Sequence, residues 1–298
     1  MRPFRLYQID SFTCERFTGN PAGVVPDATG LSDVQMQAIA REMNISETAF
    51  IFPADTASSD MTVRFFTPTT EVPLCGHATI AAHWVRAYEG APDGLFKQKT
   101  GAGILPVEIE RGNGGATRIW MTQNPTVFEA PVDDKVKDEI QSSLGVAELS
   151  TIGPVQIVST GHSKVMVPLP SIHILQALKP DLTALSRISE RIGCNGFFAF
   201  VLADPDEGVF AHGRMFAPAI GIPEDPVTGN ACGPLGAYLV EHGIVACEQG
   251  KTVELTVRQG EAMGRPGLVN VEVHRAGDTL GVRIAGEAVL VFATTLKW

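Results

Sequence analysis

Residues 64–68 read Arg64-Phe65-Phe66-Thr67-Pro68, and residues 214–218 read Arg214-Met215-Phe216-Ala217-Pro218. Both follow the pattern Arg-x-Phe-x-Pro. Downstream, Gly76-His77-Ala78 opens one apolar stretch and Gly229-Asn230-Ala231 opens another. Upstream, Ile45–Phe52 lines up with Gly193–Phe200, with Phe50 opposite Phe198 and Glu47 opposite Asn195. Three matches in the same order, at a nearly constant spacing, predict a duplication. The repeat is the size of a domain, so this is no solenoid.

Working outward, each half mixes strands and helices. Alternating or continuous apolar runs predict strands at Met61–Phe66, Ile104–Glu110, Thr117–Thr122, Val155–Ser159, Lys164–Leu169, Phe197–Leu202, Val253–Val257 and Val269–Val273. Ser32-Asp33-Val34-Gln35 reads as a capping box opening a helix over Asp33–Met43. Asp133–Leu144 and Asp181–Ile192 are amphipathic and end at glycine. Gly76–Tyr88 and Gly229–His242 are different. They are apolar nearly all round, and such helices are buried all round. Strands outnumber helices, and strict strand–helix alternation is missing. The expected class is therefore α+β: two pseudo-symmetric domains, each a curled, mainly antiparallel sheet around a central helix. The boundary is expected near residue 124, with 125–280 as the second domain. A final strand pair is expected at Gly281–Ala285 and Ala288–Leu296.

The chain has 298 residues, enough for about two domains. It carries 23 Lys+Arg against 33 Asp+Glu, a net charge of −10. A chain this acidic lacks the electrostatic footprint of a nucleic-acid or anionic-membrane binder. No apolar run approaches the roughly 18 residues of a membrane span. The five cysteines are scattered, with no Cys-x-x-Cys pair. They read as reduced thiols of a cytoplasmic protein. There is no dinucleotide fingerprint, Walker loop or nucleophile elbow. Asp204–Gly208 lacks the glycine and final glutamate of a calcium loop and reads as a solvated turn. His77 and His83 are six apart and do not share a helical face as a metal pair would. No nucleotide, metal or flavin site follows from these motifs.

The duplicated helix starts point to chemistry. Each begins at a glycine directly after a loop, at Gly76 and Gly229. Free amides and the positive end of the helix dipole gather there, which suits a carboxylate. Glu47 is the only charge in a stretch that runs straight into an apolar strand. A carboxylate entering such surroundings gains proton affinity and suits general acid–base work. Asp225 sits in a loop stiffened by Pro223 and Pro226, before the second helix start. His77 can donate to substrate or titrate near neutrality. A symmetric pair of thiols, as in many cofactor-free racemases, would need a cysteine opposite Cys75. Thr228 stands there, and Cys232 matches Thr79.

Asp10-Ser11-Phe12, Gly19-Asn20-Pro21-Ala22-Gly23-Val24, Ile45–Phe50, Cys75–Thr79 and Glu224–Ala231 together resemble the signatures of the phenazine-biosynthesis PhzF-like isomerase family. They run in family order over essentially the whole chain. The resemblance implies the diaminopimelate-epimerase-like fold, with the active site between two similar domains. It implies that the last strand segment, about 281–298, returns to the first domain, and that the protein is a homodimer. It implies a cofactor-independent isomerase, with Glu47 moving a proton between carbons of a small cyclic carboxylate resembling a dihydro-hydroxyanthranilate. His77 and Asp225 would line the pocket, the amides at Gly76 and Gly229 would hold the carboxylate, and Asn20, Thr228 and Asn230 would complete the binding set. The family's characterised enzyme has serine where this chain has Asn230. Two other readings stand beside this one: an amino- or imino-acid epimerase, and a non-enzymatic binding protein that keeps the fold.

Overall fold

A computed structural model of the protein describes residues 2–112 and 114–297. The chain divides into two compact units, residues 2–122 with 285–297 and residues 123–284. Each is an α+β unit built on the same plan.

The first unit contains β1 (Pro3–Ser11), β2 (Asn20–Val25), α1 (Asp33–Met43), β3 (Glu47–Pro53), β4 (Met61–Phe66), β5 (Glu71–Val72), α2 (Gly76–Tyr88), β6 (Gly94–Thr100), β7 (Gly103–Arg111) and β8 (Thr117–Thr122). Ser32 and Gln35 form the expected capping box at the start of α1. That helix is the crossover of a parallel β2–β3 pair, and it buries Met36, Ile39 and Ala40 against Phe50 and Phe66. Ten of the 13 residues of α2 are buried, as a helix without a polar face requires. It packs against β1, β2, β3, β7 and β8.

The second unit contains β9 (Val127–Pro131), α3 (Asp134–Leu144), β10 (Gln156–Ser159), β11 (Ser163–Pro168), α4 (Ile172–Ala177), α5 (Leu182–Ile192), β12 (Phe197–Leu202), β13 (Ala211–Ala217), β14 (Ile222–Asp225), α6 (Gly229–Glu241), β15 (Thr252–Gln259) and β16 (Gly267–Ala276). Asp133 and Asp181 are N-caps just outside α3 and α5 rather than their first helical residues. The face of β11 and β12 that carries Val165, Val167, Phe197 and Ala199 packs on α3, α4 and α5. Central α6 is buried along eleven of its 13 residues and packs on β10, β11 and β16. His242 is its C-cap, one residue short of the expected end.

The ladders repeat in order. β2 and β3 are parallel, as are β11 and β12. β3–β4 and β12–β13 are antiparallel, then β4–β5 and β13–β14. β4–β6 and β13–β15 are parallel across α2 and α6, and β6–β7 and β15–β16 are antiparallel. The shared arginine of the repeat does the same job twice. Arg64 Nε and Nη2 grip Glu71 at 2.7 Å each, and Arg214 Nε and Nη2 grip Glu224 at 2.8 Å each. Bidentate pairs of this kind fix geometry as well as charge. Arg64 also reaches Asp33 on α1, and Arg214 donates to the carbonyls of Leu175 and Leu178 at the end of α4. Each arginine thus ties the short strand before the central helix to the crossover region behind it.

Two expectations need correction. The final strand pair is one continuous strand, β17 (Thr279–Lys297). Its start neighbours β16, and residues 288–297 pair with β1. Gly286 and Glu287, between the two expected segments, extend the strand. The upstream alignment also slips by one. Arg64 pairs with Phe50 and Arg214 with Ala199, so Glu47 corresponds to Gly196, not Asn195. Apolar residues crowd both strand starts, and hydrophobicity alone does not fix a one-residue register.

Candidate active site

Glu47 is the first residue of β3, directly after the turn that ends α1. Its parallel neighbour is Ala22, two residues along β2 from fully buried Asn20. Its side chain is 12% exposed, and Oε2 is buried with no hydrogen-bond partner among the described residues. His77 Nε2 lies 3.3 Å from that oxygen, close but without hydrogen-bond geometry. His77 is the second residue of α2. Its ring is held by Ser46 Oγ, 3.0 Å from Nε2, and its carbonyl accepts from Ser11 Oγ at 2.8 Å. Cys75 is the N-cap of α2, and its side chain makes no capping bond. Its Sγ instead lies 3.4 Å from His77 Nδ1. α2 has no acidic residue in its first turn, so no side-chain charge there offsets the helix dipole.

The site of the second unit is built by amides and hydroxyls. Asp225 ends β14, and its carboxylate accepts from Thr228 Oγ1. Gln259 Nε2 donates to the Asp225 carbonyl at 2.7 Å, while its Oε1 accepts from the Thr228 amide at 2.9 Å. Gln123 Nε2 donates to the Gly229 carbonyl at 3.2 Å and to Asn230 Oδ1 at 3.3 Å. Gln123 lies so close to α6 that a Cβ on Gly233 would come within 2.0 Å of its Oε1. A side chain at that position would push the Gln123 amide off its bonds to Gly229 and Asn230. Buried Cys232 has its thiol pushed up by desolvation, which keeps it protonated and inert.

The structure thus joins Glu47, His77 and the Gly76 helix start in one unit, with Asn20 at the same sheet end. It joins Asp225, Thr228, Gly229 and Asn230 in the other. The sequence profile described as phenazine biosynthesis-like protein matches residues 9–294. The chain belongs to the PhzF-like family. An uncharacterized isomerase of Clostridium acetobutylicum is 50% identical over 300 residues, covering 99% of both chains. The trans-2,3-dihydro-3-hydroxyanthranilate isomerase of Pseudomonas chlororaphis is 37% identical over 283 residues, covering 94% of this chain and 95% of the relative. Among solved structures, the Bacillus anthracis phenazine biosynthesis protein of the PhzF family superposes with a TM-score of 0.89 at 32% identity, covering 100% of both chains. The fold is accordingly the diaminopimelate-epimerase-like α+β fold of PhzF-like proteins.

In this PhzF-like chain, sequence reasoning missed several residues that hold or flank the candidate site. Ser46, Gln123 and Gln259 carry no signal, since single polar residues beside a motif look like solvated loop. Lys164 did have one: it is the only charge in the strand Ser163–Pro168. It is 5% exposed, on the strand face opposite the Val165–Val167 core. Among the described residues its Nζ finds only the Ser163 carbonyl, at 3.4 Å. Burial pulls its pKa down to about 8, against a smaller opposing pull from Cys194 and Asp225. His162 next to it is also pulled down by burial, and its Nδ1 lies 3.3 Å from Asn195 Nδ2. His83, by contrast, is a structural residue. It is completely buried, bonded to Gln98 at 2.8 Å, and held neutral with its pKa lowered to about 3 by desolvation. Among the described residues no helix is long and apolar enough to cross a membrane.

Proposed function

We propose that the chain is an isomerase that moves a proton between carbons of a small cyclic carboxylate, with Glu47 as the single acid/base. One observation carries this reading: a buried carboxylate oxygen with no hydrogen bond, 3.3 Å from His77, at the start of a buried helix. A carboxylate saturated with donors would be a structural anchor. One that keeps an oxygen unbonded can take a proton from carbon and return it to another. The relatives named trans-2,3-dihydro-3-hydroxyanthranilate isomerases support a substrate of that shape.

In this mechanism the amides at Gly76 and Gly229 hold the substrate carboxylate. Asp225 and Asn230 orient its polar substituents, with Asn20 and Thr228 alongside. Glu47 removes a proton from the carbon that faces it. The negative charge spreads over the adjacent unsaturated system, and protonated Glu47 delivers the proton to a second carbon of the same face. His77 stands beside the carboxyl group, its Nε2 3.3 Å from Oε2. No cofactor is used, and the working form is a homodimer in the cytoplasm.

The test is Glu47→Gln, which keeps shape and polarity but cannot carry the proton. With trans-2,3-dihydro-3-hydroxyanthranilate as substrate, turnover should fall by about 10⁴-fold or more, at or beyond the upper end for general acid–base catalysis. Binding of a non-isomerisable aromatic analogue, followed by calorimetry, should change little. A Glu47→Gln protein with near-normal turnover would sink the assignment. A folded but inactive Cys75→Ser protein would favour a thiol-based epimerase instead.

A further inference from the structure

Three ligand-type atoms of different chemistry meet at the start of α2. The sulfur of Cys75, a ring nitrogen of His77 and a carboxylate oxygen of Glu47 all lie within 4.8 Å of one another. His77 Nε2 is 3.3 Å from Glu47 Oε2 and 3.9 Å from Cys75 Sγ. A tetrahedral zinc ion, with bonds of about 2.0–2.3 Å, sets its ligands roughly 3.3–3.6 Å apart. The nitrogen–oxygen edge already has that length. The sulfur edges close by shifts of the flexible Glu47 side chain and the imidazole ring. The Glu47 oxygen is buried and has no hydrogen bond to give up. His77 gives up its 3.0 Å contact with Ser46, and the 3.4 Å contact of its Nδ1 with Cys75 Sγ opens as the sulfur turns toward Nε2.

We infer that Cys75, His77 and Glu47 form a binding site for a thiophilic divalent cation, Zn²⁺ above all, whose occupancy shuts off proton transfer. One thiolate, one imidazole and one carboxylate make a three-ligand set with a fourth position left for water or a substrate oxygen. Mg²⁺ and Ca²⁺, which need six or more oxygens, do not fit it. Thiolate and carboxylate together balance the ion's charge, so the positive helix end does not repel it. On binding, the Cys75 S–H bond breaks, its proton leaves to solvent and a sulfur–zinc bond forms; nothing is oxidised or reduced. The second unit cannot copy the site. Gly196, Thr228 and Asn230 stand at the corresponding positions, so one ion binds per chain. The shut-off rests on the role proposed for Glu47; the binding does not.

The experiment uses the full chain with Co²⁺ and Zn²⁺ alone. Co²⁺ should produce a sulfur-to-cobalt charge-transfer band in the near ultraviolet that saturates at one ion per chain, and Zn²⁺ should displace it. Cys75→Ser should abolish the band and weaken zinc binding about 10–100-fold or more, while a Cys14→Ser, Cys247→Ser double variant should retain both. In turnover of trans-2,3-dihydro-3-hydroxyanthranilate, zinc should inhibit in step with occupancy, and a chelator should restore the rate. Cys75→Ser should need at least about 10-fold more zinc for half-inhibition, measured against its own metal-free rate. A band that survives Cys75→Ser, or no saturable binding at one ion per chain, overturns the site. One bound ion with undiminished turnover overturns the shut-off, and Glu47→Gln then judges the proton carrier separately.

Discussion

The two units keep one scaffold and exchange their chemistry. Ladder order, the buried central helix and the arginine–glutamate tie are the same in both. The ionisable groups are not. Glu47 corresponds to Gly196, and its neighbour Ala22 corresponds to Lys164. His77 matches Asn230, Cys75 matches Thr228, and Val72 matches Asp225. At each of these positions beside the strand and helix starts, one unit carries an ionisable side chain that the other lacks. What the duplication retained is the means of presenting a helix start, and what it left free to vary is what stands beside it.

The sharpest way to break this comparison is Gly196. It has a φ of 139°, and a Cβ there would lie 2.5 Å from the Phe216 carbonyl oxygen. No side chain can be added without moving backbone. Gly196→Ala should cost about 4 kcal/mol, read from denaturant unfolding. If it costs under about 1 kcal/mol, the second unit is not barred from carrying a carboxylate at this place. Lys164→Met comes next and has the opposite sign. Its folded pKa of about 8 lies below the ordinary lysine value, so native Lys164 binds its proton less tightly than the unfolded chain does. The variant should be more stable by about 3 kcal/mol at pH 7. The gain should shrink as pH rises through about 8 to 10.5, where the unfolded lysine also loses its proton.

His77→Asn gives the first unit the residue of the second. kcat/KM should fall by roughly 10², with both binding and rate affected. Asp225→Asn should act in the same direction, because Thr228 can still donate to the amide oxygen. An unchanged kcat/KM in either variant would remove that residue from the site. The smallest effect belongs to His212. It is buried between Glu261, 2.8 Å from Nδ1, and Glu207, 2.9 Å from Nε2, and its pKa is raised chiefly by the Glu261 hydrogen bond. Its counterpart is Thr62, which bonds Asp55 and does not titrate. The stabilisation is complete below the unfolded value near 6.5 and fades as pH rises through the raised folded value. His212→Thr should remove that slope and cost less than about 1 kcal/mol at pH 6. Equal slopes for the two proteins would show that His212 carries no linked proton.

The central helices were legible because they lack charge on every face, and burial is the only stable outcome for such a sequence. The arginine repeat was legible because both copies keep the residues that bind and flank the guanidinium. Glu47 could be picked out because a lone charge at the start of an apolar strand has few structural uses. The one-residue slip at Gly196 and the unbroken β17 were not legible, since both depend on pairing partners far away in the chain. Lys164 escaped notice because a lysine in a strand usually points to water. Only the packing of Val165 and Val167 on α3, α4 and α5 turns it to the other face. The partners Gln123 and Gln259 are set by tertiary contact alone.

β17 has a consequence for how the protein is made. Pro3 pairs with Lys297 and Ser11 with Ala288, so one of the first strands to leave the ribosome meets its partner nearly three hundred residues later. At about 5–20 residues per second, β1 waits tens of seconds with one edge unpaired. Until then the unit that carries Glu47 exposes a strand edge open to other chains. That edge is covered only once β17 has been made and paired with β1. A chain cut short before residue 288 keeps every residue of both helix starts, yet leaves that edge bare for chaperones and proteases to find.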